Sequence, residues 1–282
     1  MFSKISNSWN LIKASANVLA QDKELIIFPI ISALGVLLVT ATFFIPLLLA
    51  DVFDTMFSRN LGIVPFIVGL VFYLVQYSVI FFANTALVGA ALIRLRGGDP
   101  TVGDGFRIAF SRIGPILGYA LIAATVGMIL RTLQENAKAK ALGRLVIGLL
   151  GAAWNIVTFL VVPVLAVEGI GPIAAIKRSF NLLKQTWGEQ IVGNFGIGVV
   201  SGLVSLGVIL LGIGGVFVAV KLESIVLGVL VVALMVLLLL ILGLISSALN
   251  SIYTAAVYQY AISGQTGGMF STEMVQGAFR QK

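Results

Sequence analysis

Apolar residues come in six long runs, at about Leu25–Ala50, Ile63–Ile93, Ile113–Leu130, Leu145–Val167, Ile191–Val220 and Ser224–Tyr260. A run of roughly 18 or more apolar residues can cross a bilayer as a helix, so the pattern predicts six transmembrane helices. The second, fifth and sixth exceed the roughly 20 residues that a 30 Å hydrocarbon core requires and must tilt, kink or project beyond it. Pro46 and Pro163 are the candidate kinks. Inside lipid such breaks need neighbouring helices to satisfy the freed backbone groups.

Each pair of runs follows a short amphipathic segment. The apolar positions are Ile5, Trp9, Ile12 and Ala16 in the first, Val102, Phe106, Ala109 and Ile113 in the second, and Ile176, Phe180, Leu183 and Trp187 in the third. All step by 4, 3 and 4, the spacing of one helix face. Trp9, Phe106 and Phe180 fall at equivalent places, and Lys13 and Lys184 each follow their aromatic by four residues. Arg107, Arg112, Lys177 and Arg178 add cationic flanks. Basic residues beside an aromatic-bearing apolar stripe suit a helix lying in the headgroup plane. These ten residues, Trp187 included, are therefore the candidate membrane-interface set. Start signals agree: Asp99-Pro100-Thr101 precedes the second segment with Asp104 at capping-box spacing, and Gly171-Pro172 opens the third.

The predicted fold is an all-α integral membrane protein of six transmembrane helices, arranged as three hairpins, each preceded by an amphipathic interfacial helix. Residues 1–262 form one membrane domain with repeat units of about 1–95, 99–169 and 170–262, which implies pseudo-threefold packing. Residues 263–282 form a cytoplasmic tail.

Composition narrows the chemistry. Of 282 residues, 59% are hydrophobic and 10% charged, with a mean hydropathy of +1.10. Soluble domains carry roughly 25% charged residues, so a water-soluble globule is excluded. Cysteine and histidine are absent, which removes disulfides, thiolate and imidazole metal sites, and Cys–His or Ser–His catalysis. Twelve of the eighteen Lys and Arg fall on the side of the chain termini if the six runs alternate. Positive charge favours the cytoplasm, so both termini are expected there, in the cell membrane. The loop 131–144 dissents, with Arg131, Lys138, Lys140 and Arg144. The net charge of +7 suits anionic headgroups, and no nucleic-acid module is present.

No Asp, Glu, Lys or Arg lies near a predicted span centre, which counts against a proton-coupled transporter. The polar residues within spans are neutral. Gln76, Asn84, Asn155, Asn194, Asn250 and Thr254 are the candidates for a polar path or, on the simpler reading, for helix–helix hydrogen bonds. Glu168 lies at the inner end of the fourth run, where it can bond the start of the third amphipathic helix or pair with Lys177 or Arg178. Small-residue pairs such as Gly114 with Gly118, and Gly198 with Gly202, suit close helix packing or a subunit contact.

Three segments carry a family resemblance. The first is Pro163-Val-Leu-Ala-Val-Glu168-Gly-Ile-Gly-Pro-Ile-Ala-Ala175-Ile-Lys-Arg178-Ser-Phe, continuing to Leu183-Lys-Gln-Thr-Trp187-Gly-Glu189-Gln. The second is Ile5-Ser-Asn-Ser-Trp9 with Asp22-Lys-Glu-Leu25 and Phe28-Pro29, and the third is Tyr258-Gln-Tyr-Ala-Ile-Ser-Gly264 with Gly277-Ala-Phe279-Arg. Together they resemble a family of uncharacterised bacterial and archaeal multi-pass membrane proteins. In plan the chain is also similar, more loosely, to the membrane domain attached to some glycerophosphodiester phosphodiesterases, without their catalytic domain. The resemblance implies no activity and no catalytic residue.

The expected function is therefore non-enzymatic. It is that of a structural or accessory component organising lipid or a membrane protein complex, without cofactor, with membrane lipids and a protein complex or homo-oligomer as partners. The alternative is a passive channel or carrier for a neutral or lipid-like substrate.

Overall fold

A computed structural model describes residues 2–49, 63–136, 141–187, 196–266, 270–272 and 275. The described residues are almost all helical, with no strand among them. In chain order they form α1 (Phe2–Gln21), a 3₁₀ turn (Lys23–Ile26), α2 (Ile27–Leu49), α3 (Val64–Leu95), α4 (Val102–Ser111) and α5 (Ile113–Asn136). There follow α6 (Ala141–Thr158), α7 (Val161–Glu168), α8 (Pro172–Trp187), α9 (Gly196–Lys221) and α10 (Ile225–Ser263). Six segments among them are long and apolar enough to cross a membrane: Lys23–Pro46, Val64–Leu95, Ile113–Glu135, Gly143–Glu168, Val200–Lys221 and Ile225–Ser263. These are the six runs expected from the sequence. This is a multi-pass membrane protein.

Helix α2 passes through Pro46 without interruption. The fourth span does break, at Phe159–Leu160, between α6 and α7. Pro163 explains the place: it has no N–H for the Phe159 carbonyl, and its ring crowds that carbonyl. The Leu160 N–H, released from the α6 ladder, donates instead to the Ser179 hydroxyl of α8 at 3.0 Å. Ser179 is fully buried. A neighbouring helix thus supplies the partner that a break in the apolar region needs.

Helix α3 is the hub, packing against α2, α4, α5, α7 and α10. Its second half carries Ala83, Ala86, Gly89, Ala90 and Ala91, all buried, and small side chains allow close approach. The approach of α4 is closest at Gly105, where an added Cβ would stand 2.8 Å from the Ala86 carbonyl oxygen and against the Phe28 ring.

Because the spans alternate in direction, the starts of α2, α5 and α9 and the ends of α3, α7 and α10 share one end of the bundle. The short helices α1, α4 and α8 join that end. The buried core lies there too. It combines Leu11, Ala14 and Val18 of α1 with Phe28, Ala86–Leu92 of α3, Ile116, Leu160–Leu165, Leu183 and Ala248–Tyr258. At the far end the spans expose most of their apolar side chains, including Leu37, Ile67, Leu149 and Ile225. Those surfaces suit lipid as solvent.

The short helices pack mainly on elements other than the spans that directly follow them, although α8 also touches α10. α1 packs on α9 and α10, α4 on α3, and α8 on α6, α7 and α5. A glycine of positive φ stands just past α3, α7 and α10: Gly97 (φ 85°), Gly169 (φ 61°) and Gly264 (φ 69°). Left-handed backbone at this place closes a helix and costs a glycine nothing. Beyond Gly264, Thr266, Phe270 and Val275 of the tail are buried, the last two within the core.

Candidate functional site

Two places gather polar chemistry: the end belted by α1, α4 and α8, and a cleft that opens toward the far end.

At the belted end, ion pairs tie helix ends together. Asp22, 7% exposed, accepts two hydrogen bonds from the Arg94 guanidinium at the end of α3. Arg94 also donates to Asp99, so it clamps the α1–α2 junction to the segment entering α4. Glu24 accepts the Val102 N–H at 3.3 Å, a carboxylate at a helix N-terminus, where the dipole favours it. Arg96 donates to the Gln259 side chain of α10 at 3.0 Å. Arg178 donates to both Glu168 oxygens at 3.0 and 3.2 Å, and the Tyr258 hydroxyl donates to the same carboxylate at 3.1 Å. Of the partners open to Glu168 in the sequence, Arg178 is the one that binds it.

Thr101 and Asp104 form a reciprocal capping box at the start of α4. The Thr101 hydroxyl and N–H both donate to the Asp104 carboxylate, and Arg107 lies beside it. These contacts, the Thr101 bonds foremost, hold the Asp104 carboxyl below the usual carboxylate range.

The ten membrane-interface candidates divide by environment. Trp9 is 49% exposed with the Lys13 ammonium 5.7 Å from its ring centroid. Phe180 is also exposed, as are Arg107, Lys177 and Lys184. Phe106 instead packs among Phe28, Phe82 and Phe110, and Arg178 is committed to Glu168. Arg112 lies over the left-handed Gly169, with one guanidinium nitrogen 3.5 Å from the Val167 carbonyl and Nε buried without a partner. The Trp187 side chain lies outside the described residues. The inward-facing lines of α1 and α8 are Leu11–Ala14–Ser15–Val18 and Ala175–Ser179–Leu182–Leu183. Of the stripes read in the sequence, Leu183 is buried and Ile12, Ala16 and Ile176 pack at the edge of the core, while Trp9 and Phe180 turn outward.

The polar-path candidates do not gather. Gln76 donates to Thr40 of α2 at 2.9 Å, a bond between helices. Thr254 donates to the Asn250 carbonyl one turn back at 2.8 Å. Asn84 is half-buried on α3 and Asn250 exposed on α10. Asn194 lies outside the described residues. Asn155 alone among them lines the cleft.

That cleft, of about 690 Å³, lies between α3, α5 and the broken span α6–α7. Tyr77 and Phe81, Tyr119 and Trp154 form its walls; exposed Asn155 and half-buried Thr158 also line it; Arg131 and Gln134 stand at its far end. The aromatics make a ladder, with Tyr73–Tyr77, Tyr77–Phe81 and Phe81–Tyr119 centroids 6.2, 5.6 and 4.6 Å apart. Arg131 donates to the Tyr73 hydroxyl and, at 3.2 Å, to Glu135. Apart from Asn155, this set was not legible in the sequence, because its members come from three separated segments and no spacing joins them.

Among the described residues no three metal-ligating side chains converge. No curated protein matches the chain. The model of a family of unknown function, DUF6159, matches residues 63–269. That is most of the chain, its hub helix, two of its belt helices and the whole cleft included, and the chain belongs to this family.

Proposed function

We propose that this protein is a non-enzymatic accessory component of the cell membrane, with both termini cytoplasmic, that organises anionic lipid around its belted face. The exposure pattern of the belt carries this reading. Lys13, Arg107, Lys177 and Lys184 are exposed on helices whose opposite faces are buried, with Trp9 and Phe180 beside them. Each cation near an anionic surface contributes about 1 kcal/mol, and aromatic rings suit the headgroup level.

The body beneath the belt is read as three repeats. The main docking pattern supports this: each short helix lies chiefly against the hairpin of the preceding unit, with α1 closing onto the third and α8 making a smaller contact with its own unit's α10. So does the recurrence of a left-handed glycine at each hairpin's end. Dispersal of Gln76, Asn84, Asn250 and Thr254 over separate positions favours this reading over a passive channel or carrier.

Native mass spectrometry of the protein purified in mild detergent tests it. Wild type is expected to retain anionic lipid, and a variant combining Lys13→Gln, Arg107→Gln, Lys177→Gln and Lys184→Gln to lose most of it. A fully stable, delipidated monomer, or equal retention by the variant, would overturn the reading.

A further inference from the structure

We propose that the cleft between α3, α5 and α6–α7 binds a single anionic phospholipid, its phosphate at Arg131 and Gln134 and an acyl chain against Tyr77, Phe81, Tyr119 and Trp154. Four observations bear on this, and none depends on the belt.

The first is dimension. Along α5 the lining runs from Tyr119 to Gln134, about 22 Å of helix. Half of a bilayer, headgroups included, is about 20–22 Å thick, so the cleft has the length of one leaflet's lipid. Its volume of about 690 Å³ lies within the range of small-molecule sites.

The second is the polarity of its ends. Arg131 and Gln134 stand where α5 leaves the apolar region, and the walls inward from them are aromatic. The guanidinium is oriented by the Tyr73 hydroxyl and by Glu135. Both members of the Arg131–Glu135 pair are more than half exposed, and such pairs hold little energy. A phosphate can therefore recruit Arg131, whose planar donor fork suits it.

The third is an unanswered amide. Asn155 lines the cleft and makes no hydrogen bond to another described residue. An amide left in hydrocarbon is costly, so the occupant is not a bare alkane. Ester carbonyls of an acyl lipid offer acceptors along its length.

The fourth is access. Ile129, Leu133, Leu149 and Leu150, neighbours in sequence of the lining residues Leu130, Gln134 and Gly151, are exposed. The rim is lipid-facing, so an occupant enters laterally from the membrane.

The test uses the full chain in detergent, read by native mass spectrometry and competition, with phosphatidylglycerol, phosphatidylcholine and palmitate as probes. One phosphatidylglycerol is expected to bind at least ten-fold tighter than phosphatidylcholine. Arg131→Gln should remove that preference. Gly151→Phe, which fills the cleft where nothing stands within 4 Å of the glycine, should abolish binding while the melting temperature stays near wild type. Unchanged binding in either variant overturns the site. Equal binding of palmitate overturns the phospholipid assignment in favour of a fatty acid. The four-cation belt variant should keep the cleft lipid, so failure of the belt reading and failure of this one are separable.

Discussion

Gly169 shows how one residue's freedom is spent. Its φ of 61° closes α7, and the Arg112 guanidinium lies on the space a side chain would take. Gly97 and Gly264 have the same hand but nothing within 4 Å. Alanine at those two should cost about 1–2 kcal/mol, the left-handed penalty alone. Gly169→Ala should cost more, and the excess should vanish in an Arg112→Ala background. Chemical unfolding in detergent measures all four variants; an excess that survives Arg112→Ala would reject the contact. Asp104 gives a pH prediction at the same scale. Its folded-state pKa is depressed, so its contribution is present above the unfolded value of about 3.9 and is lost as pH falls through the lower folded value. The stability gap between wild type and Asp104→Asn should therefore be constant near neutrality and close below about pH 4. A gap that widens on acidification would contradict it. The capping box was legible in the sequence because its partners are three residues apart. The Arg112–Gly169 contact was not, since nothing local to either residue names the other.

At the scale of elements, the broken span α6–α7 depends on a helix that follows it. Pro163 marks the break in sequence, and the turn comes just upstream of it, at Phe159–Leu160. The repair at Ser179 was invisible, because a serine in an amphipathic helix reads as one more polar position until α8 is docked. Ser179→Ala should leave the Leu160 N–H buried and unpaired, a cost of about 1–3 kcal/mol. Ser111 of α4 is exposed and bonds its own helix carbonyl, so Ser111→Ala should be nearly neutral. Thermal unfolding of both variants, with amide exchange at Leu160, distinguishes a repaired break from an indifferent one. Equal stability of the two would show that the hydroxyl is dispensable. The six spans themselves were readable from hydropathy, because every crossing needs roughly 20 apolar residues at least, although they run from 22 to 39 residues. The inward faces of α1 and α8 were not, since an apolar stripe at the interface can turn toward protein or toward headgroups with equal logic.

At the scale of the whole molecule, the core at one end and the loose spans at the other follow from the same economy. Amphipathic helices need a protein surface to cover, and spans need only lipid, so dense packing collects where the belt lies. The belt closes the chain on itself: α1 contacts α9 and α10, more than 170 residues later in sequence. The sequence repetition gave no indication of where each short helix docks; the proposed cyclic order of hairpins would place each chiefly on its neighbour. That order has a measurable consequence. Leu11 of α1 is buried in the shared core, and Leu11→Ala should cost about 2–5 kcal/mol. The loosening should appear, by hydrogen exchange in nanodiscs, in α9 and in the buried stretch of α10 from Ala248 to Tyr258. It should be smaller in α2, although α2 follows α1 directly along the chain. If exchange rises first in α2, each short helix serves its own hairpin and the cyclic arrangement is wrong. If it rises in α9 and α10, the first element of the chain holds the last two in place, and the third hairpin cannot be secured independently of the N-terminus.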